Sequence, residues 1–470
     1  MFIVIPVIFI LGIIAIALED KLNVNKAAVA LVMAIILWII LMLDAYNIFV
    51  ARPNHIFQEF LKYNPGMELL PYHEQFINFI TNRAIIFNLG NVTETLFFVM
   101  GAILIVDLVD KHGGFLSISD FIATTNKRKL LWWICLTAFF LAPLLDNMAA
   151  AIVLMAVLRK LVFDRADRLK YACMIIIAAN AGGSFSPIGD VTTILLWVGK
   201  NITPLHQITH VFLPALAHLL IPLTIATFIL FKKSETMRKP TPEERVVNEV
   251  VPTIPASARR IILIIGVLSL ALVPVFQNLT ALPPFLGVLM GLAVLWFYTD
   301  IMYSRMRHMR ESRKMRVITL LPNVDLATIF FFLGILMSVG ALETSGHLSL
   351  MSNFLDAHIH APYLTSFLIG ILSSCVDNVA LVAATIGMYP IQAVDSVAAN
   401  AQYFVADGGF WTFLTYCGVT GGSLLIIGSA TGVIVMGMEK IEFTYYAKKF
   451  SLLAFSGYLA GALTFLAFNS

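Results

Sequence analysis

Two short stretches set carboxylate and amide side chains inside apolar sequence. Residues 145–152 read L-D-N-M-A-A-A-I, and residues 376–383 read V-D-N-V-A-L-V-A. Each is followed by a glycine-rich break: A-N-A-G-G-S-F-S-P-I-G-D-V-T-T at 179–193 and G-V-T-G-G-S-L-L-I-I-G-S-A-T at 418–431. A carboxylate in hydrocarbon is expensive and is kept for a task. Asp146 and Asp377 must therefore each sit beside a cation or carry a proton. A group that takes Na⁺ or H⁺, never both at once, is the minimum equipment for cation–proton exchange. Asp and Asn also cap helix N-termini, and the two roles are compatible.

The neighbouring residues supply the other ligands that a hard alkali cation needs. Such ions want several oxygens, from amides, hydroxyls and freed backbone carbonyls. Asn147 and Asn378 offer amide oxygens. A helix unwound at Gly182-Gly183 frees carbonyls, which is tolerable in a membrane only where they line a cavity. Pro187 removes a further backbone donor. Asn180, Ser184, Asp190, Thr192 and Thr193 surround the first break. Gly421, Gly422, Thr420, Ser423, Ser429 and Thr431 form the second. Close helix packing is the competing account of the glycines. Asp190 has Ser429 as its counterpart, so the expected site is asymmetric, with carboxylates at Asp146, Asp190 and Asp377. Three carboxylates exceed what one Na⁺ neutralises, which would permit unequal charge exchange. The expected Na⁺ ligands are Asp146, Asn147, Asp190, Asp377 and Asn378.

Other chemistries find no support. The four cysteines, Cys135, Cys173, Cys375 and Cys417, show no C-x-x-C spacing. The ten histidines form no metal pattern; His358 and His360 are two apart and do not share a helix face. There is no P-loop and no G-x-S-x-G, so neither ATP-driven pumping nor acyl transfer is indicated. Nothing suggests nucleic acid.

The elements that position these residues are membrane helices. The chain has 470 residues, 59% hydrophobic and 13% charged, with a mean hydropathy of +0.87. That is about half the charge of a soluble domain, and the length leaves no room for a soluble catalytic domain. The net charge of +3 says little beside its distribution. Apolar segments able to cross are 2–18, 27–44, 93–109, 209–231, 261–276, 284–299, 325–342 and 450–468. The first reads as a span, not a signal peptide. Segments 171–199 and 410–438 are long enough but interrupted by glycine. Segments 130–158 and 361–390 are interrupted by the Asp-Asn pairs. The stretch 45–92 reads as a loop, with an interfacial amphipathic piece over 60–90.

Loop charges set the orientation. Lys127-Arg128-Lys129, the basic segments 159–170, 232–260 and 305–316, and Lys440, Lys448 and Lys449 belong in the cytoplasm. Segments 343–360 and 388–409 hold no Lys or Arg and belong outside. Segment 130–158 is thus flanked by cytoplasm at both ends, and 361–390 by the exterior. Each reads as a re-entrant hairpin. Ten crossings and two hairpins satisfy every loop, with both termini outside.

The halves also match. N-V-T-E-T-L-F-F-V-M-G at 91–101 parallels N-V-D-L-A-T-I-F-F-F-L-G at 323–334. Asp146-Asn147 pairs with Asp377-Asn378, Gly182-Gly183-Ser184 with Gly421-Gly422-Ser423, and Gly189 and Thr192 with Gly428 and Thr431. The separation is 231 to 239 residues throughout. The expected fold is an all-α polytopic membrane protein, an inverted-topology repeat with two re-entrant helical hairpins and two interrupted transmembrane helices. Its parts are residues 1–90, a first repeat over 91–231, a linker with two connecting helices over 232–322, and a second repeat over 323–470.

The stretches 91–102, 145–147 and above all 179–193 resemble the NhaD family of bacterial Na⁺/H⁺ antiporters. That family belongs to a wider ion-transporter superfamily that includes dicarboxylate, citrate and arsenite carriers. The resemblance runs from about residue 90 to the end. It implies a homodimer in the lipid bilayer of the bacterial inner membrane, with a scaffold domain and an elevator-like transport domain holding both hairpins. It implies Na⁺ or Li⁺ extrusion driven by inward H⁺, with no cofactor beyond the transported ions. By motif match the cation residues would be Asp146, Asn147, Asn180, Asp190, Thr192, Thr193, Asp377 and Asn378. Ser373 matches a family serine, with Ala142 as its first-repeat counterpart. In the carboxylate carriers the hairpin tips read Ser-Asn-Thr, and here Asp replaces that Ser. The alternative is a Na⁺-coupled symporter of an organic anion such as a di- or tricarboxylate. An anion site usually needs positive help, and no Lys or Arg lies in either tip or break.

Overall fold

Caps and breaks divide the apolar sequence into helices. A computed structural model describes residues 3–17, 24–51, 54–114, 124–232, 235–236, 254–306, 314–320, 326–359, 361–374, 378–393 and 400–469. In chain order the helices are α1 (Val4–Ala17), α2 (Lys26–Leu43), α3 (Ala45–Phe49), α4 (His55–Tyr63), α5 (Tyr72–Ile77), a π-helix (Asn78–Ile85) and α6 (Ile86–Lys111). Then come α7 (Lys127–Leu145), α8 (Asn147–Leu161), α9 (Arg165–Ser184), α10 (Val191–Val198) and α11 (Pro204–Leu230). The bent pair α12 (Ala256–Ala271) and α13 (Val273–Thr280) precedes α14 (Pro284–Arg305). The last group is α15 (Leu326–Thr344), α16 (His347–His358), α17 (Pro362–Leu372), α18 (Asn378–Met388), α19 (Gly409–Gly421), α20 (Ala430–Glu439), α21 (Phe443–Lys449) and α22 (Ser451–Asn469). Among the described residues the β structure amounts to one isolated bridge, Asn126 with Thr236. Seven of the described helices are long and apolar enough to cross a membrane, or eight with the pair bent by 45°. The chain is a multi-pass, all-helical membrane protein.

The count differs from ten crossings for physical reasons. The interrupted segments are split at their breaks, into α9 and α10 and into α19 and α20. Val4–Ala17 has 14 residues. Lys127–Leu145 qualifies by length and composition, although the chain turns at Asp146 and α8 packs back on α7.

The stretch 45–92 is a correction. It is mostly helical, and the span expected over 93–109 begins at Tyr72, continuing for 40 residues to Lys111. Its polar residues bond to their own helix: Asn78 donates to the Glu74 carbonyl, Thr81 to Ile77 and Asn88 to Ala84. The π-helical turns keep Phe79, Ile80 and Ala84 buried. A polar composition was thus read as loop where side chains had closed onto the backbone.

Two compact units result. The first comprises Met1–Phe97, Asp325–Thr365 and Val379–Gln392. In it α15 packs along α2, with Gly334 against the Ala30 backbone and Trp38 Nε1 donating to the Met337 carbonyl at 3.0 Å. Phe49, Phe57, Phe76 and Phe79 form an aromatic cluster beside them.

The second unit comprises Phe98–Val324, Ser366–Asn378 and Ala393–Ser470. Its centre is α9 and α19. Every residue from Tyr171 to Ser184, and from Phe410 to Gly421, is buried. Helices apolar all round belong in a core. The broken helices α9–α10 and α19–α20 lie antiparallel. At one end Arg159 and Arg168 each reach Glu439, the last residue of α20, at 2.7 Å. At the other end the Asp407 carboxylate accepts from Thr203 N–H (2.6 Å) and Thr203 Oγ1 (2.8 Å), and Asp407 N–H donates to the Asn201 carbonyl. The start of each broken helix therefore neighbours the end of the other.

Glu439 lies just beyond the apolar run 410–438. Burial opposes its charge, but Arg168 and Arg159 outweigh burial and hold the carboxyl below its ordinary value. The folded state thus binds this proton less readily than the unfolded chain. The stabilisation is present above the unfolded value of about 4.3 and is lost as pH falls through the lower folded value. Glu439→Gln is expected to lower the unfolding temperature at pH 7, followed by tryptophan fluorescence in detergent. The gap to the unmodified chain should close below about pH 4.

Candidate functional site

The first break, residues 185–190, is held by its own side chains. Asp190 caps α10, accepting from Thr192 N–H at 2.8 Å and from Thr192 Oγ1 at 2.7 Å. Thr193 Oγ1 accepts from Asp190 N–H at 3.2 Å and donates to the Asp190 carbonyl at 2.7 Å, completing a capping box. The Pro187 carbonyl lies 3.2 Å from the same hydroxyl. Freed carbonyls find donors from other helices: Asn147 N–H on Gly189 at 2.9 Å, Gln207 Nε2 on Ser184 at 3.0 Å. At the second break Ser429 caps α20 through Gly432 N–H, and Tyr446 donates to the Ser423 carbonyl at 2.7 Å.

These breaks meet through a buried polar cluster. Asn147 Nδ2 donates to Asp190 Oδ2 at 2.5 Å and to Asn180 Oδ1 at 3.0 Å. Asn180, 0% exposed, donates onward to Ser423 Oγ (2.9 Å) and Ser429 Oγ (3.1 Å). Asn378 Nδ2 approaches both Asp190 oxygens, at 3.4 and 3.5 Å. One carboxylate, 5% exposed, thus gathers donors from α8, α10 and α18. The amide oxygens of Asn147 and Asn378 accept no hydrogen bond among the described residues. Carboxylate and amide groups on rigid helix ends are the ligand types a hard cation takes, but here the amide nitrogens, not the oxygens, face Asp190.

Other expected residues stand apart. Asp146 caps α8 by accepting from Ala149 N–H at 2.9 Å and joins no hydrogen bond of the cluster, although its charge and that of Asp190 interact. Its backbone sits at φ 79°, ψ 157°, a region essentially reserved for glycine and costing about 1–3 kcal/mol. Ser373 donates to the Gly418 carbonyl at 2.9 Å, which ties it to α19 instead of Asp190. Thr420 bonds back to Tyr416 on its own helix, and Ser184 to Ala181. Among the described residues the buried Thr431 hydroxyl has no hydrogen-bond partner. Asp377 lies outside the described residues, so its expected role has no structural counterpart here. Among the described residues no group of three or more His, Cys, Asp or Glu is arranged for a metal. Gln207 was not foreseen; a lone amide in the apolar helix α11 was its one signal.

The glycines permit close approach at matched positions. A Cβ at Gly182 would strike the Phe139 carbonyl in α7, and one at Gly421 would strike the Gly370 carbonyl in α17. Gly183 and Gly189 face each other across the first break, where a Cβ on Gly183 would come within 2.5 Å of the Gly189 oxygen.

A buried polar cluster between the breaks of two antiparallel, buried helices marks a multi-pass membrane protein with a candidate internal site for a small polar species. Comparison with known proteins narrows this. A sequence model of the citrate transporter family (CitMHS) matches residues 7–406. "Sodium/proton antiporter 1" and "Sodium/proton antiporter 2" of Arabidopsis thaliana are 36% and 35% identical over 464 residues, covering 98% of this chain and 72% and 99% of theirs. "Na(+)/H(+) antiporter NhaD" of Alkalimonas amylolytica is 27% identical over 487 residues, covering 98% of this chain and 90% of that one. The chain belongs to the NhaD-type Na⁺/H⁺ antiporters of the citrate transporter family, whose members are transporters and not enzymes.

Two stability outcomes follow. Gly182→Ala and Gly421→Ala should each cost about 1–3 kcal/mol through backbone displacement. Gly437→Ala, with nothing within 4 Å of the added carbon, should not. Asp146→Gly should melt above Asp146→Ala, since both lose the cap but glycine alone accepts φ 79° without strain. Thermal unfolding in detergent measures both.

Proposed function

We propose that the chain exchanges cytoplasmic Na⁺ or Li⁺ for external H⁺ by alternating access. The Asp190 cluster carries the reading. It offers a carboxylate and the amide oxygens of Asn147 and Asn378, and no Lys or Arg occurs in 142–150, 179–193 or 418–431. A carboxylate in such surroundings holds either a cation or a proton, so loading one releases the other. The names of the Arabidopsis and bacterial relatives support the same exchange.

The wider mechanism rests on the antiparallel broken helices. Their matched sequences and opposed directions support an inverted-topology repeat, with the site at mid-depth. On this reading 130–158 dips in from the cytoplasm and 361–390 from outside, bringing Asp377 to the site from the second tip. Asp146, Asp190 and Asp377 then share the bound charge and titrate as a set. The unit that carries the site moves in an elevator-like way, within a homodimer in the bacterial inner membrane.

Proton flux in proteoliposomes tests this. Na⁺, Li⁺, K⁺ and citrate are added separately to a preset pH gradient. Na⁺ and Li⁺ should dissipate it; a response to citrate alone would make the chain an anion carrier and overturn the proposal. Asp190→Asn, Asp146→Asn and Asp377→Asn should each abolish the signal. Asn147→Ala should raise the Na⁺ requirement about tenfold, roughly 1.4 kcal/mol for one lost oxygen ligand. With three carboxylates for one Na⁺, the rate should also depend on membrane potential.

A further inference from the structure

Two buried side chains each hold one backbone carbonyl at a helix break. Gln207 Nε2 donates to the Ser184 carbonyl at 3.0 Å, and the Tyr446 hydroxyl donates to the Ser423 carbonyl at 2.7 Å. The two serines end the matched Gly-Gly-Ser motifs, and each donor stands 23 residues beyond its serine. Gln207 and Tyr446 are therefore 239 residues apart, the same separation as Ser184 and Ser423. Their helices match too: α11 covers Pro204–Leu230, and α21 with α22 covers Phe443–Asn469 at that same separation. α11 packs along α22, and a Cβ on Gly457 would come within 2.5 Å of the His218 carbonyl oxygen. Gly457 and His218 are again 239 apart. Helices related by a two-fold axis meet at equivalent residues where they cross on it.

Glutamine and tyrosine differ in shape and chemistry, and what they share is a hydrogen-bond donor on a long side chain. The acceptors need it. Carbonyls at the C-terminal ends of α9 and α19 lack partners within their helices, and both serines are 0% exposed. Without its donor each carbonyl would turn to seek another, and its residue would turn with it. At the second break that residue is a link to the site. Ser423 Oγ accepts from Asn180 Nδ2 at 2.9 Å, Asn180 Oδ1 accepts from Asn147 Nδ2 at 3.0 Å, and the same Asn147 nitrogen donates to Asp190. At the first break Ser184 follows Gly183, which lies against Gly189, and the Gly189 carbonyl accepts from Asn147 N–H. Both held carbonyls thus bear on Asn147, one through Asn180 and one through Gly189.

We propose that Gln207 and Tyr446 are a matched pair of positioning residues for the cation site. Each fixes the serine carbonyl of its break, and together they set where Asn147 stands against Asp190. The inference rests on the cation-exchange reading of the Asp190 cluster. Loss of either donor leaves a folded transporter that requires more Na⁺.

The test measures Na⁺-driven proton flux in proteoliposomes against Na⁺ concentration. Tyr446→Phe, Gln207→Met and Tyr171→Phe are compared with the unmodified full-length chain. Tyr171 is the control: its buried hydroxyl donates to the Lys127 carbonyl at 2.9 Å, near the start of α9 and outside both breaks. Tyr446→Phe and Gln207→Met should each raise the half-maximal Na⁺ about three- to tenfold, the effect of one lost hydrogen bond, and leave the maximal rate as it was. Tyr171→Phe should lose thermal stability in detergent as Tyr446→Phe does, with its half-maximal Na⁺ unchanged. If Gln207→Met fails to elute as the folded protein, Tyr446→Phe, which loses a single oxygen, decides the outcome. An unchanged Na⁺ requirement in Tyr446→Phe, or an equal rise in Tyr171→Phe, would overturn the pairing while exchange itself stands. Absence of Na⁺-driven flux from the unmodified chain would remove the exchange reading, and the inference with it.

Discussion

A broken helix in apolar surroundings leaves backbone groups that water cannot reach, and the rest of the site depends on how they are satisfied. In the absence of water each orphan costs several kcal/mol. Here the Gly189 carbonyl is met by Asn147 N–H, and the Ser184 carbonyl by Gln207. Asp190 and Thr193 close the start of α10. The residues that repair the backbone are the same ones that gather oxygens in one place. Structural repair and the proposed ion binding thus draw on the same residues, which is why caps and candidate ligands coincide.

That coincidence made much of the site legible. Gly182-Gly183, Pro187 and Asp190 mark the first break by local rules of helix termination, and Asp146 marks the tip between α7 and α8. Local rules do not reach further. Asn180 spans to Ser423 and Ser429, more than 240 residues away, through tertiary packing alone. Nothing local marks Glu439 either: its side chain is 3% exposed, and the two arginines that pair with it come from elsewhere in the chain. The stretch 45–92 misled for the opposite reason: its Asn and Thr side chains satisfy the helix that their composition argued against.

The two breaks share a frame and differ in their caps. Gly182 and Gly421 make the same approach to a neighbouring carbonyl, from α7 in one case and α17 in the other. Asp190 and Ser429 cap equivalent helices. The close approach and the capping position thus match at the two breaks, while the cap is a carboxylate at one and a hydroxyl at the other. A hydroxyl at 429 accepts from Asn180 where the first break carries the Asp190 carboxylate.

The Asp407 and Glu439 contacts have a mechanical consequence. A beam clamped at both ends cannot slide against its neighbour; it can only bow at mid-span. Sliding α9–α10 along α19–α20 would break the arginine contacts at one end and the Thr203 bonds at the other. The middle, where both helices are cut, is held by Asn180. A displacement of one broken helix that keeps these contacts must carry the other with it.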